Sequence, residues 1–221
     1  MTAVFAYSNG ATAFVAADTQ RTSWGNVALS AVKVHAWSET VLFAQIGEAQ
    51  FLTELVGRLL PQRGFLVEGP EGLIEGFRMY APLLWPKVES SYKAKKLPPP
   101  AGTLLVAVAD TAWGGPSLFR LDFETGAMTP VLGDTAGDGT TGFDYDKEGA
   151  DQLVLHTSAG ASGGLPLDLW GSACIANAIA ASPTTINWPS DQLISREWPR
   201  DRILCRRRVG SLIRPNPLFE I

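Results

Sequence analysis

The chain has 221 residues, 46% hydrophobic and 18% charged, a length that can bury a substantial core and a balance that excludes disorder. Its formal net charge of −4 argues against a general nucleic-acid binder, and a strand or turn facing a subunit partner is the expected setting for the short run Arg206, Arg207 and Arg208. Cys174 and Cys205 make no disulfide framework and no metal-ligand spacing; with no basic leader and no apolar run near the roughly 18 residues of a membrane span, a cytoplasmic, membrane-free protein is expected.

In chain order, residues 2–8 are rich in β-formers, Asn9-Gly10 signals a tight turn, and residues 12–17 continue as a second strand, together a hairpin ending at Asp18. Residues 19–30 read as a polar loop or ragged strand. A second pair of strands follows at 32–36 and 41–46 around a Ser38-Glu39 turn, with Lys33 inside it and Gly47 at its end. Residues 48–60 place Phe51, Leu52, Leu55, Val56, Leu59 and Leu60 at helical spacing, and Pro61 stops that helix. A second helix is predicted from Pro70 to about Lys95, with Pro82 and Pro86 expected to kink or break it. Strands at 103–109 and 117–123 come next. Residues 133–149, rich in Gly, Asp and Thr, read as an exposed acidic insertion whose carboxylates lack the spacing of a calcium loop. A strand at 152–156, a Gly/Ser-rich loop at 157–164 and a helix from about Pro166 to Ala180 follow. Pro183, Pro189 and Pro199 interrupt the part after 181, which is expected to be atypical, before a last strand at 202–213. No internal repeat is present, and the whole chain 1–221 reads as one domain.

The chemistry starts at the second residue. Removal of Met1 would leave Thr2 carrying both a hydroxyl nucleophile and a free α-amine, which titrates at roughly 7.7 to 8.0 and so is partly unprotonated near neutral pH. One residue would then supply nucleophile and base together. Met1 removal is expected because the residue behind it is small. The other polar candidates are weaker: His35 and His156 each lie in or beside a strand, where a structural role is expected, and the chain has no G-x-S-x-G elbow, phosphate loop or HExxH pattern.

The terminal threonine, the alanine-rich strand ending in Ala16-Ala17-Asp18, the pair Lys33-Val34 and the strand end Gln45-Ile46-Gly47-Glu48-Ala49-Gln50 together resemble the proteasome β-type subunits of the N-terminal-nucleophile (Ntn) hydrolases, including their bacterial self-compartmentalising relatives. The interval from Lys33 to Gly47 matches the family's, and that from Thr2 to Lys33 is one residue shorter, in the loop at 24–31. The resemblance implies an α+β fold: a four-layer αββα sandwich with two mainly antiparallel sheets between helices. It implies a catalytic set of Thr2 as nucleophile, Lys33 easing alkoxide formation, Asp18 orienting Lys33 and the Gly47 amide facing the oxyanion. Ser158 is the preferred residue to support the terminal amine, with Ser162 behind it. Ser190 and Asp191 are the only nearby pair with the residue types of the family's later aspartate and serine, and no role is placed on them.

The resemblance further implies a threonine peptidase acting on unfolded proteins or peptides within a homo-oligomer, a closed ring or an open ring-like assembly, served by a separate unfoldase and needing no metal or organic cofactor. It puts Gln20, Ala31, Gln45, Ala49 and Thr53 around the substrate pocket. Two alternatives stay beside it: an Ntn amidase or transferase on a specific small or protein substrate, and a catalytically silent structural ring subunit.

Overall fold

The computed structural model describes residues 3–19, 21–23, 26–28, 32–62, 64–97, 99–131, 135–136, 139–144, 166–181, 190–198 and 201–209. Its first hairpin, β1 (Val4–Ser8) and β2 (Thr12–Asp18), forms where the sequence predicts it. Asn9 makes the turn: its Oδ1 accepts the backbone N–H groups of Ala11 and Thr12 at 3.1 and 2.7 Å, a local bond that fixes the reversal. Two short strands, β3 (Arg21–Ser23) and β4 (Asn26–Ala28), pair within the segment read as a ragged strand.

The second pair, β5 (Val34–Ala36) and β6 (Val41–Gly47), begins a five-stranded sheet. It continues through β7 (Gly102–Val108), β8 (Leu118–Asp122) and β9 (Met128–Pro130) in the order β5-β6-β7-β8-β9, antiparallel throughout. The first hairpin belongs to a separate six-stranded sheet with β10 (Thr135–Ala136), β11 (Gly139–Asp144), β12 (Ser190–Trp198) and β13 (Asp201–Val209), ordered β10-β11-β1-β2-β12-β13.

Strand alternation sorts the side chains into three apolar layers. Val4, Ala6, Val15 and Ala17 from one sheet meet Val34, Leu42, Ala44, Leu105 and Ala107 from the other, which closes the space between the sheets. The opposite residues of the five-stranded sheet, among them Phe43, Leu104, Val106 and Phe119, pack under helices α1 (Ala49–Gln62) and α2 (Pro70–Ala94). On the far side Phe5, Phe14 and Ala16 pack under α3 (Leu167–Ala181), where Phe14 and Trp170 meet edge to face at 5.8 Å. Gly171 allows this approach, because a Cβ there would stand 2.5 Å from the Phe14 ring. The result is the expected four-layer αββα sandwich.

Four expectations are corrected. Residues 139–144, read as part of an exposed insertion, form β11 and pair along the whole of β1, since Gly and Thr satisfy a ladder as well as apolar residues do. The part after 181, read as broken by prolines, contains the long hairpin of β12 and β13. Finally, α2 runs unbroken through Pro82 and Pro86, held by a buried face that includes Leu73, Phe77, Ala81, Leu84 and Trp85. Helix α1 likewise continues one residue past Pro61. The predicted strand at 152–156 and loop at 157–164 lie outside the described residues.

An aromatic group locks the outer layer: Phe123 contacts Phe51, Phe77 and Trp85 at centroid distances of 4.6, 6.0 and 6.1 Å and is 1% exposed. Truncation as Phe123→Ala should therefore cost about 3–5 kcal/mol in urea unfolding, whereas Leu83→Ser, at an exposed position of α2, should stay within about 0.5 kcal/mol of the wild type.

Candidate active site

The end of β2 meets the start of β5 through an ion pair. Lys33 Nζ lies 2.9 Å from Asp18 Oδ1, with the Asp18 side chain fully buried and that of Lys33 only 9% exposed. The same carboxylate oxygen accepts the backbone N–H of Ala3 at 2.9 Å, and the Asp18 N–H returns a bond to the Ala3 carbonyl at 3.2 Å. Asp18 is thus tied at once to the residue that follows Thr2 and to the lysine of the other sheet. Burial pushes the Lys33 pKa below its ordinary 10.5, and the charge and hydrogen bond of Asp18 oppose that shift.

Gly47 ends β6 at φ +103°, in the region that favours glycine, and a Cβ there would stand 2.2 Å from the Ala101 carbonyl oxygen. Helix α1 starts immediately after it. Glu48 precedes the first turn, and its Oε2 accepts the Phe51 N–H, while the Glu48 N–H is satisfied by the Ala101 carbonyl at 3.0 Å. The backbone therefore turns from strand to helix at Gly47 with its N–H groups near the positive end of α1.

Lys33, His35, Phe43 and Gln45 share a face of β5 and β6, because Lys33 lies opposite Gln45 and His35 opposite Phe43. His35 stacks on Phe43 at 5.2 Å, and its Nε2 meets the Gln45 side-chain amide. Burial first, then the nearby Arg206 charge, lower the His35 pKa to about 4, against a backbone hydrogen bond at Val32 that raises it. A neutral ring protonated on Nδ1 satisfies both contacts, donating to Val32 and accepting from Gln45. Both ring nitrogens are thereby occupied, which is the structural role expected for His35.

Of the residues singled out in the sequence, Asp18 and Lys33 are in contact and Gly47 terminates the strand that pairs with Lys33. Thr2, Ser158 and Ser162 lie outside the described residues, as do Gln20, Ala31 and His156. Ser190 and Asp191, to which the sequence reading gave no role, stand close to the site. Ser190 is the direct cross-strand partner of Asp18, fully buried, and its Oγ has no hydrogen-bond partner among the described residues. Asp191 is 4% exposed and accepts Arg206 Nη2 at 2.8 Å. Within its own chain Arg206 bonds Asp191 and the Val34 carbonyl. Only the register of β12 against β2 reveals these neighbours, and no local motif encodes a pairing over that separation.

No protein-family model matches the sequence, and no curated protein matches it. Among solved structures, the chain is similar to the eukaryotic HslV from Trypanosoma brucei, with a TM-score of 0.55 at 15% identity over 87% of this chain and 98% of that one. It is also similar to the Gly-1 mutant of Anbu from Hyphomicrobium sp. strain MC1, with a TM-score of 0.61 at 14% identity over 96% of this chain and 88% of that one. The chain has the proteasome β-type Ntn-hydrolase fold. Within that Ntn fold, the carboxylate–lysine pair lies where the two sheets meet, beside the start of β1.

Two outcomes follow from this geometry. Gly47→Ala should be strongly destabilised, because its Cβ meets backbone at Ala101 and its φ disfavours any L side chain; a fall of several degrees in Tm measures this. His35 carries a pH-dependent part of stability. With a folded pKa of about 4 against an ordinary 6.5, the unfolded chain binds the extra proton between those values. Stability should then fall as pH drops through that window, by up to about 1.4 kcal/mol per pH unit. Urea unfolding of the wild type and His35→Asn at pH 7 and pH 5 should show the gap between them shrinking at the lower pH.

Proposed function

We propose that this chain is an Ntn hydrolase of the threonine peptidase kind, with Thr2, exposed by removal of Met1, as its nucleophile. The observation that carries the reading is the double use of Asp18 Oδ1, which accepts both Lys33 Nζ and the N–H of the residue after Thr2. An ammonium group is thereby held beside the very start of β1, where an N-terminal hydroxyl needs it.

In this mechanism the Thr2 α-amine accepts the hydroxyl proton as the oxygen attacks a peptide carbonyl. The Lys33 charge lowers the cost of the developing alkoxide, and the Gly47 N–H donates to the oxyanion. Collapse of the tetrahedral intermediate breaks the C–N bond; the amine passes its proton to the leaving nitrogen and an ester remains on Thr2. Water, activated by the same amine, hydrolyses the ester and restores the hydroxyl. Ser158 supports the amine. The side chains of Gln45 and Thr53 contact the substrate, and no cofactor enters any step. The enzyme acts as a homo-oligomer on unfolded chains delivered by a separate unfoldase.

Intact mass and labelling with a peptide epoxyketone, which captures a hydroxyl and an α-amine on one residue, test the reading together. Loss of the Met1 mass and one adduct per chain are expected, with no adduct on Thr2→Ala and a loss of at least about 10²-fold in labelling rate for Lys33→Ala. Because the Lys33 pKa lies below 10.5, labelling should decline on the alkaline side below that pH. Retained Met1 with no adduct defeats the proposal and favours the silent structural subunit. Adduct formation with turnover of small amides and none of unfolded casein favours the amidase.

A further inference from the structure

Two charged residues that the mechanism above does not use connect its two halves. Asp191 lies on β12 one residue beyond Ser190, the cross-strand partner of Asp18, so the β2–β12 ladder fixes it relative to the carboxylate of the ion pair. Its own carboxylate accepts Arg206 Nη2 at 2.8 Å. The same guanidinium nitrogen donates to the Val34 carbonyl at 3.2 Å, the residue directly after Lys33.

That carbonyl is a specific target. Strand β5 is an edge of its sheet. The Lys33 carbonyl accepts the Gln45 N–H at 2.8 Å and so faces β6, and in an extended strand the next carbonyl points the other way. Val34 therefore offers its acceptor on the open edge of β5, and Arg206 fills it from the other sheet. The contacts close a ring: Asp18 to Lys33 by the ion pair, Lys33 to Val34 by the chain, Val34 to Arg206 and Asp191 by hydrogen bonds, and Asp191 to Asp18 through the ladder.

Alternation along β13 shows that the ring is a matter of geometry rather than of nearby positive charge. Arg208 is the direct cross-strand partner of Asp191, yet it is exposed, and Arg206, two residues along, takes the carboxylate. Arg206 is the one that lies near both Asp191 and β5.

We propose that Asp191 and Arg206 are positioning residues for Lys33, a clamp that anchors the open edge of β5 to the β12–β13 hairpin and so holds the lysine ammonium against Asp18. The proposal deepens the proposed function, since it takes Lys33 as the group to be positioned. Lys33 itself is pinned on both sides of its strand by this arrangement, and the hairpin after residue 189 becomes part of the catalytic scaffold.

The test compares Asp191→Asn, Arg206→Met and, as a control that removes a charge opposite Asp191 without touching Val34, Arg208→Met. Two readouts are taken on the full-length chain: the Lys33 side-chain NMR resonance, identified with Lys33→Arg, and the epoxyketone labelling kinetics. The clamp variants should shift the Lys33 resonance and its titration and lower the maximal labelling rate by about tenfold or more at nearly unchanged half-saturation, while Arg208→Met matches the wild type. A folded Asp191→Asn protein whose Lys33 resonance and maximal labelling rate stay within about twofold of the wild type overturns the proposal. So does an Arg208→Met protein that shifts Lys33 as Arg206→Met does. Should Arg206→Met fail to fold, the isosteric Asp191→Asn decides. A wild type that is not labelled at all defeats the proposed function alone, and the Lys33 resonance still decides the clamp.

Discussion

The buried contact between Asp18 and Lys33 is the constraint on which the rest of the molecule depends. It joins the end of β2 to the start of β5, strands that belong to different sheets and also meet through apolar side chains such as Ala17, Val34 and Ala44. Those side chains permit close approach of the sheets and provide no register. A salt bridge with a fully buried carboxylate has a definite geometry and a large desolvation cost, and apolar replacements of similar volume often do as well or better for stability alone. The downward shift of the Lys33 pKa expresses that cost directly: burial outweighs the favourable field of its partner. A chain built only for stability gains little by keeping an ammonium there, and a chain that must present a positive charge at the start of β1 needs it.

Much of the architecture was legible because it is local. The first hairpin is written in Asn9-Gly10 and in the β-formers that flank it, and the apolar stripe of α1 is written in the spacing of Phe51, Leu55 and Leu59. The pair Asp18 and Lys33 was legible only through family resemblance, since nothing in either residue's neighbourhood predicts contact across two sheets. What stayed hidden is long-range. Ser190 has no motif around it and acquires its place from the pairing of β12 with β2. The prolines misled in two places. A nine-residue strand, β12, forms in the proline-containing part of the chain, and Pro82 and Pro86 sit within a helix whose buried face outweighs the lost backbone bonds.

The arginine run shows the same limit from another side. Three consecutive basic residues look like a patch when written in a line. On β13 they alternate: Arg206 reaches Asp191 and Val34 between the sheets, while Arg207 lines the opposite face beside Gln192, Ile194 and Cys205. A charge run read as a surface feature presumes that the chain there is not extended within a sheet. The strand assignment alone sorts the run onto two faces, with Arg206 a half-buried tether and Arg207 on the other side of the sheet.

Fold likeness at 14–15% identity establishes architecture, and one architecture hosts many activities. The chemical reading therefore has to stand on residues whose presence the fold does not require. A four-layer sandwich can be closed by apolar side chains at every position of its core, and here the three apolar layers already close it. Lys33, Asp18 and a Gly47 held at positive φ against the Ala101 carbonyl are additions to that core, each costly in burial or backbone freedom. They occur at one end of the sandwich, where the chain begins and where β6 gives way to α1. The burial of the Asp18–Lys33 pair and the strained φ of Gly47 are the costs from which the proposed site is argued.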